Sequence, residues 1–473
     1  MIPLSECRVL EINSGYQGVS PEYLMEESGR VLADAILEKA GEGNRIGLIC
    51  GTESTAGKAY VAARYLVEAN EVEVLQAIPE ERIASDLIMK NFERVRELTR
   101  PLEGEDLSRF DVIVDALCGK DVEIDPGVYR ELVRRINSFP GRVFSVDVPS
   151  GMGSEEAVRP SFTVTFHDVK EGMTPGNSGE IIVKDIGIPP AAQRFVGPGE
   201  FIHYPLPHDE SYRGDNGKVL LVGGTCYLGA TALTGLSAYR IGVDLVHVTA
   251  PEPSYHVLAS ISPDLIVHRL GGDDLSPEDV REIGELSQHV DAVLVGMGLG
   301  RSAQAHQTAL EIVDSCTRPI VINGDGIDLS GPGPLEGKRG VLILHHSQFR
   351  RVSGHPLKED RERSVAEFAS ALGMTVLLKG KVDIISDGER NRLNRTGNPS
   401  MSVAGTDFTL AGILVGLLAK GVDPFNAARM ASFINGQAGD LAFDHTGYGM
   451  VASDLVKCIP KALMDNLRKV SGK

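Results

Sequence analysis

The chain has no surplus of positive charge: 47 Lys and Arg stand against 65 Asp and Glu, a formal net charge of −18. So acidic a surface repels phosphate backbones, and no concentrated basic run offsets it, which excludes nucleic acid as a partner. Small anions would have to be held by backbone N–H groups at helix N-termini. No stretch reaches ~18 uninterrupted apolar residues, so no membrane span is expected. Cysteine is scattered over positions 7, 50, 118, 226, 316 and 458, with no CxxC pair. That spacing argues against a zinc site and against a disulfide scaffold. The opening residues MIPLSECRVLEINSG lack a basic segment followed by an apolar one, so no signal peptide is read and a cytoplasmic location is expected. Internal repeats and low-complexity tracts are also lacking.

What is there is alternation. A chain of 473 residues is too long for one hydrophobic core, and two domains are expected, 1–200 and 201–473. Short apolar runs alternate with longer amphipathic stretches, the pattern of parallel strands joined by crossover helices. Strands are predicted at 45–50, 71–76, 111–117, 142–148, 162–166 and 180–186. A helix starts after Ser20, an N-cap followed by Pro21, and another runs from Gly127. The Pro- and Gly-rich segment 188–217 breaks the pattern and is read as a linker or domain entry. Strands resume at 218–224, 244–250, 264–270, 291–296, 319–323, 340–344 and 375–380. Three helical stretches close the chain, near Thr409, Pro424 and Ser453. The fold class is α/β: an N-terminal Rossmann-like three-layer domain followed by a C-terminal three-layer α/β/α sandwich.

Two groups of residues carry chemistry. In the first half, RIGLIC runs into a small-residue loop and a helix, CGTESTAGKAYVAARYL, whose start offers unpaired N–H groups. Two further strands end in carboxylates, DVIVDAL at Asp115 and SVDVPSG at Asp147 and Ser150. Ligands of open parallel sheets sit at that edge, and a buried carboxylate is costly without a partner. Lining a site is one reading of these acids; capping or structural ion pairing is the other.

The order LMEESGR, VAAR, VDALCG, VDVPSGM, TVTF, GEIIVKDIGIP over ~8–190 resembles the NAD(P)HX epimerase domain of the YjeF N-terminal family. The resemblance implies that Asp115 and Ser150 help to hold a potassium ion, and that Asp147 contacts substrate and serves proton transfer. The family's Asn-Asn-Gly-Gly-Asp loop is replaced here by Ser54, Thr55, Ala56, Gly57 and Lys58. The resemblance then implies that Thr55 or Ser54 supplies the metal oxygen, and an ammonium at Lys58 would compete with a cation beside it. Gly119, Lys120 and Asp121 replace a Gly-Thr-Gly and crowd the loop facing the nucleotide.

In the second half LLVGGTCYLGATALTG, DAVLVGMGLG, PIVINGDGIDL, VLLKGKVDIISDG, LNRTGNPSM and AGTDFTLAGILVGLLAKG resemble, over ~215–460, the family's ADP-dependent NAD(P)HX dehydratase domain, a ribokinase relative. Carried over, Ala230, Gly298, His345 and Phe408 are substrate positions. Lys379, Gly380, Lys381, Val382 and Asp383 form the adenine-nucleotide loop; Asn398, Gly405, Thr406 and Asp407 complete the nucleotide site. Small residues there open a helix whose amides stabilise a transferring phosphoryl group, and the following aspartate takes the hydroxyl proton. The family's Gly-Thr-Gly-Asp is Gly405, Thr406, Asp407, Phe408 in this chain. Asp407 therefore stands one residue early, ~100° around the helix, with its charge against the phosphates. Either it serves as a displaced base or the phosphoryl chemistry is lost or changed.

The resemblance implies repair of hydrated NAD(P)H: epimerisation of its C6 hydroxyl in the first domain and ADP-dependent dehydration in the second. Expected ligands are NAD(P)HX, ADP or ATP, potassium and magnesium, and a homo-oligomer is expected. A catalytically degenerate nucleotide-binding or regulatory protein and a small-molecule kinase of the ribokinase superfamily stay open as alternatives.

Overall fold

The computed structural model describes residues 1–117, 126–224, 226–300, 302–323 and 333–471, and the chain falls into two compact units, Met1–Ala192 and Gln193–Lys473. In the first, β1 (Arg45–Cys50), β2 (Glu71–Gln76), β3 (Thr99–Pro101), β4 (Val112–Ala116), β5 (Arg142–Val146), β6 (Phe162–Phe166) and β7 (Glu180–Lys184) form one sheet in the order β3-β2-β1-β4-β5-β6-β7. All its pairings are parallel. Alternate residues feed opposite layers, as the period of two demands. Leu48 and Val114 pack under the helices Pro21–Ala40 and Ser54–Leu66, whereas Ile49 and Ile113 join Leu132, Val133 and Ile136 of the helix Pro126–Asn137 on the other face. Ser20 caps its helix as expected, its hydroxyl accepting from Tyr23 N–H at 3.2 Å.

The second unit is built on β8 (Lys218–Gly223), β9 (Leu245–Ala250), β10 (Ile266–Arg269), β11 (Ala292–Met297), β12 (Ile320–Ile322), β13 (Gly340–His345), β14 (Thr375–Lys379), β15 (Asp383–Ser386) and β16 (Asn391–Asn394). Their order is β10-β9-β8-β11-β12-β13-β14-β15-β16. The pairings are parallel up to β14, and β15 and β16 continue the sheet antiparallel. The helices Leu228–Arg240, Thr406–Ala419, Pro424–Thr446 and Ala452–Ser471 cover one face, and Asp279–Ser287, Ala303–Ser315 and Arg361–Leu372 the other. The helix Thr406–Ala419 is buried from Thr409 to Ala419; being apolar all round, it belongs in the middle of a layer.

Three strands escaped the sequence pattern. β3 has three residues, and β15 and β16 have four each, too short to show a period. The segment 188–217 is less of a linker than its composition suggested. Glu200 and Phe201 are fully buried in a 3-10 turn, Pro198–His203, and Val196 pairs with Leu393 by a 2.9 Å backbone bond. Proline and glycine exclude regular structure but not burial. Among the described residues no helix is long and apolar enough to cross a membrane, and the described cysteines are free.

Glu200 pairs with Arg429, also fully buried, on the helix Pro424–Thr446. Removing one partner of such a pair strands the other charge away from water, at a cost of about 3–5 kcal/mol. Arg429→Met is expected to lower the denaturant midpoint of the C-terminal unit accordingly, and the double variant with Glu200→Met to recover most of the loss; equal midpoints for wild type and single variant would show the pair to be dispensable.

Candidate functional site

In the C-terminal unit, the carboxyl ends of β11 to β14 bring Gly298, Asn323, His345 and Lys379 to one edge of the sheet. His345 and Lys379 are register partners on adjacent strands. The helix Thr406–Ala419 begins opposite them. Its N-cap, Gly405, has a left-handed backbone (φ +104°), and a Cβ there would stand 2.8 Å from the Ala452 side chain, so only glycine opens this helix unstrained. No side chain caps the start. Among the described residues, the N–H groups of Gly405, Thr406 and Asp407 donate to no acceptor, the first helical bonds coming from Phe408 and Thr409 to the Gly405 carbonyl. Three free amides at a helix N-terminus form an anion site.

Asp407 does not turn its charge on that site alone. Its Oδ2 lies 2.6 Å from His345 Nε2, and Oδ1 pairs with the Lys379 ammonium. Burial would raise the acid's pKa, but the His345 bond and the Lys379 charge outweigh it and hold the carboxylate well below the usual range. Because the carboxylate is ionised, Nε2 carries the proton and donates it. The like-charge clash expected from sequence is thus relieved by a lysine that the strand register places in reach.

The remaining predicted residues divide by role. The Thr406 hydroxyl is spent on the Met401 carbonyl at 2.9 Å, leaving only its amide for a ligand. Asp383 Oδ1 accepts from Gly380 N–H at 3.1 Å and its Oδ2 from Ser432 at 2.6 Å, which closes the β14–β15 turn; Lys381 and Val382 stand exposed on it. Asn398 is tied to Asp440 Oδ1 at 3.0 Å and caps its own turn through Ser400 N–H. Ala230 is buried in the helix Leu228–Arg240, and Thr234 of that helix bonds the Phe408 carbonyl at 3.2 Å. Phe408 packs partly buried against the core. Gly298 (φ +70°) comes so close to Tyr227 that a Cβ would lie 2.7 Å from its carbonyl oxygen. Asn323, which motif reading did not single out, reaches the Asp407 carbonyl at 3.4 Å. The loop residues 119–121 and the whole GDGIDL motif lie outside the described residues.

In the N-terminal unit the strand order reverses between β1 and β4, and the acids sit at that edge. Asp115 is 1% exposed. It accepts from the hydroxyls of Ser150 (2.6 Å) and Ser145 (2.7 Å) and from Ser150 N–H (3.0 Å). Burial outweighs these bonds and raises its pKa: with neutral donors alone, a charge there is under-compensated. The helix Ser54–Leu66 packs beside β4, and the buried Thr55 hydroxyl oxygen at its start has no hydrogen-bond partner. An under-compensated carboxylate, an orphaned oxygen and the Ser150 hydroxyl suit a hard cation, which takes oxygen ligands.

Lys58 does not crowd that place. Its ammonium lies 3.3 Å from Glu11 and 4.8 Å over the Phe166 ring, and its charge acts on Asp147 rather than Asp115. Asp147 forms a 2.6 Å ion pair with Lys170, 1% exposed, which also donates to Thr165 Oγ1 and the Phe166 carbonyl. Burial would raise the Asp147 pKa; Lys58 and Lys170 together lower it. The gap between Cys7, Glu11, Lys58, Asp147, Phe166 and Lys170 measures about 10 Å³, room for one water, so this is a packed charge network. Among the described residues, the two non-glycines with left-handed backbone, Asp147 (φ +67°) and His167 (φ +69°), both border it; such strain collects at functional sites. Glu11 and Lys170 lie 136 and 23 residues from Asp147, so only the fold reveals them.

Comparison with known proteins places the geometry. The family described as NAD(P)H-hydrate dehydratase matches residues 219–461, and that described as YjeF-related protein N-terminus matches 21–172. The bifunctional NAD(P)H-hydrate repair enzyme Nnr of Methanothermobacter thermautotrophicus is 38% identical over 96% of this chain and 93% of its own length. Its namesake in Archaeoglobus fulgidus is 36% identical over 97% of both. Among solved structures, an ADP/ATP-dependent NAD(P)H-hydrate dehydratase from Bacillus subtilis, co-crystallised with ATP/Mg2+, covers 58% of this chain and 98% of its own at 24% identity and TM-score 0.50. A ribokinase-like superfamily protein from Enterococcus faecalis V583 covers 58% and 96% at 24% identity and TM-score 0.52. These two show the fold of the C-terminal unit, which is ribokinase-like.

Two pH effects follow. Asp407 ionises more readily folded than unfolded, so it stabilises the fold fully above about pH 4, the unfolded carboxylate value, and progressively less on acidification. The stability gap between wild type and Asp407→Asn is expected to be constant near neutrality and to close as pH falls below 4, measured by denaturant titration; a gap that widens in acid refutes the assignment. Asp115 has the opposite sign, its raised pKa costing stability at neutral pH. Asp115→Asn is expected to match or exceed the wild-type stability in sodium, and potassium to stabilise only the wild type.

Proposed function

This chain belongs to the family of bifunctional NAD(P)H-hydrate repair enzymes, and from that premise we propose that its C-terminal unit dehydrates NAD(P)HX at the expense of an adenine nucleotide while its N-terminal unit interconverts the two NAD(P)HX epimers. The observation that carries the reading is the open helix start at Gly405–Asp407, with the Asp407 carboxylate beside it at the strand ends. In parallel sheets the substrate approaches that edge.

The terminal phosphate of the nucleotide meets the amides of Gly405, Thr406 and Asp407, which stabilise charge developing on the transferring group. Asp407 Oδ1 takes the proton of the C6 hydroxyl, and the hydroxyl oxygen attacks phosphorus as AMP leaves from ADP. The lone pair of the tetrahydropyridine nitrogen then expels phosphate from C6, and loss of a C5 proton from the resulting iminium restores the dihydropyridine of NAD(P)H. NAD(P)HX and ADP thus give NAD(P)H, AMP and inorganic phosphate. The aspartate that the family places at position 408 is Phe408 here. What supports a displaced base is the direction of Asp407: its carboxylate faces His345 and Lys379 at the strand ends rather than bulk solvent. Lys379 opens the nucleotide loop 379–383, and Asn398, bonded to Asp440, holds the neighbouring turn. Magnesium would accompany the phosphates.

In the N-terminal unit Thr55, Asp115 and Ser150 would hold potassium, whose fixed positive charge would anchor an anionic part of the substrate. Asp147, kept ionised by Lys170 and Lys58, accepts a hydrogen bond or proton at the reacting carbon's hydroxyl.

Purified protein incubated with NADHX and ADP is expected to restore the absorbance of NADH, and both epimers to be consumed on chromatography. Asp407→Asn should lower kcat by about 10²–10⁴-fold, the contribution of a positioned base. Asp147→Asn should leave one epimer to disappear only at its spontaneous rate. Tight nucleotide binding with no turnover by the wild type would favour the regulatory alternative instead.

A further inference from the structure

A base loses proton affinity when a cation sits on its accepting oxygen, and both carboxylate oxygens of Asp407 are engaged. Oδ2 receives the His345 Nε2–H at 2.6 Å, and Oδ1 is covered by the Lys379 ammonium. The two partners are not equally held. His345 is fixed at the end of β13, where its backbone N–H donates to Gln348 Oε1 at 2.8 Å and its short side chain reaches Asp407 directly. Lys379 ends β14 on a flexible four-carbon stem, and Asp407 is the one hydrogen-bond partner described for its ammonium. Beside this pair lie the three free amides of Gly405, Thr406 and Asp407. A phosphate seated on them puts a second, more highly charged anion within reach of the same ammonium.

We infer that Lys379 is a nucleotide-operated latch: it masks Asp407 Oδ1 in the free protein and moves to the nucleotide's phosphate on binding, so that the base is exposed only when the phosphoryl donor is in place. The inference rests on the repair reading above and goes beyond it by assigning an order to binding. It also gives the displacement from 408 to 407 a consequence. An aspartate at the second helical position reaches the strand ends and Lys379, so base and phosphate share one cation. Without the latch, the Asp407 carboxylate would oppose phosphate at the adjacent amides. With it, the ammonium offsets whichever anion is present. Substrate that arrives first meets a carboxylate already occupied; substrate that arrives second finds Oδ1 free for its hydroxyl. Nucleotide and NADHX therefore bind with positive coupling, and the coupling is reciprocal.

The test uses the full chain, α,β-methylene-ADP as a nucleotide that cannot transfer its phosphoryl group, and NADHX, with affinities from calorimetry. In the wild type the nucleotide analogue is expected to tighten NADHX binding on the order of tenfold. Lys379→Met should bind the analogue more weakly and show coupling near one. Asp407→Asn is the second arm: it frees Lys379 and removes the competing charge, so it should bind the analogue more tightly than wild type while also losing the coupling. A merely structural pair would weaken both ligands in both variants. Absence of coupling in the wild type, undiminished coupling in Lys379→Met, or weaker analogue binding by Asp407→Asn would each overturn the latch while leaving the repair reading intact. Failure of the wild type to bind the analogue at all would overturn both.

Discussion

A carboxylate taken out of water must be given back the interactions it had there, and three wholly or partly buried acids, two at strand ends and one at a helix start, organise this protein around that requirement. Each meets it differently. Asp115 relies on hydroxyls and an amide, which satisfy its lone pairs but not its charge. Asp147 is held by one lysine in contact and a second nearby. Asp407 shares a lysine and a histidine donor. The consequences for protonation follow directly: the first acid is pushed toward its neutral form, the other two toward their ionised forms.

The parallel sheet is what makes these meetings possible. Within each unit the parallel strands run in the same sense, so polar residues that follow apolar runs gather on one edge of that sheet. Adjacent strands in register then set side chains from distant segments side by side. His345 and Lys379 meet because β13 and β14 run together for five residues. Helix starts face the same edge because each crossover helix begins where its strand ends. One edge therefore collects carboxylates, their cations and free amides together.

Departures from the family pattern look different once their neighbours are known. Lys58, in the helix Ser54–Leu66, reverses a charge of the family pattern, yet it lies against Glu11 and stabilises ionised Asp147. Asp407 intrudes on an anion site, yet it brings its own cation with it. In both cases the substitution is answered by a partner from another element, and the local charge balance survives. A reversed charge inside a buried network persists only when such a partner is present.

The sequence by itself determined the two-unit α/β plan, most strands, the capped helix at Ser20 and the edge on which the acids lie. Those features follow from apolar periodicity and from short-range turn chemistry, which are properties of neighbouring residues. Colinear motifs were enough to identify the family. Only the tertiary structure decided that Lys58 turns to Glu11, that Lys170 neutralises Asp147, that Lys379 and His345 close on Asp407, and that the segment around Glu200 is core. Short strands such as β15 and β16 also waited for it. The physical reason is common to all of these: an ion pair or a buried contact depends on distances between segments far apart in the chain, and side-chain identity does not contain those distances until the sheet brings the strands into register.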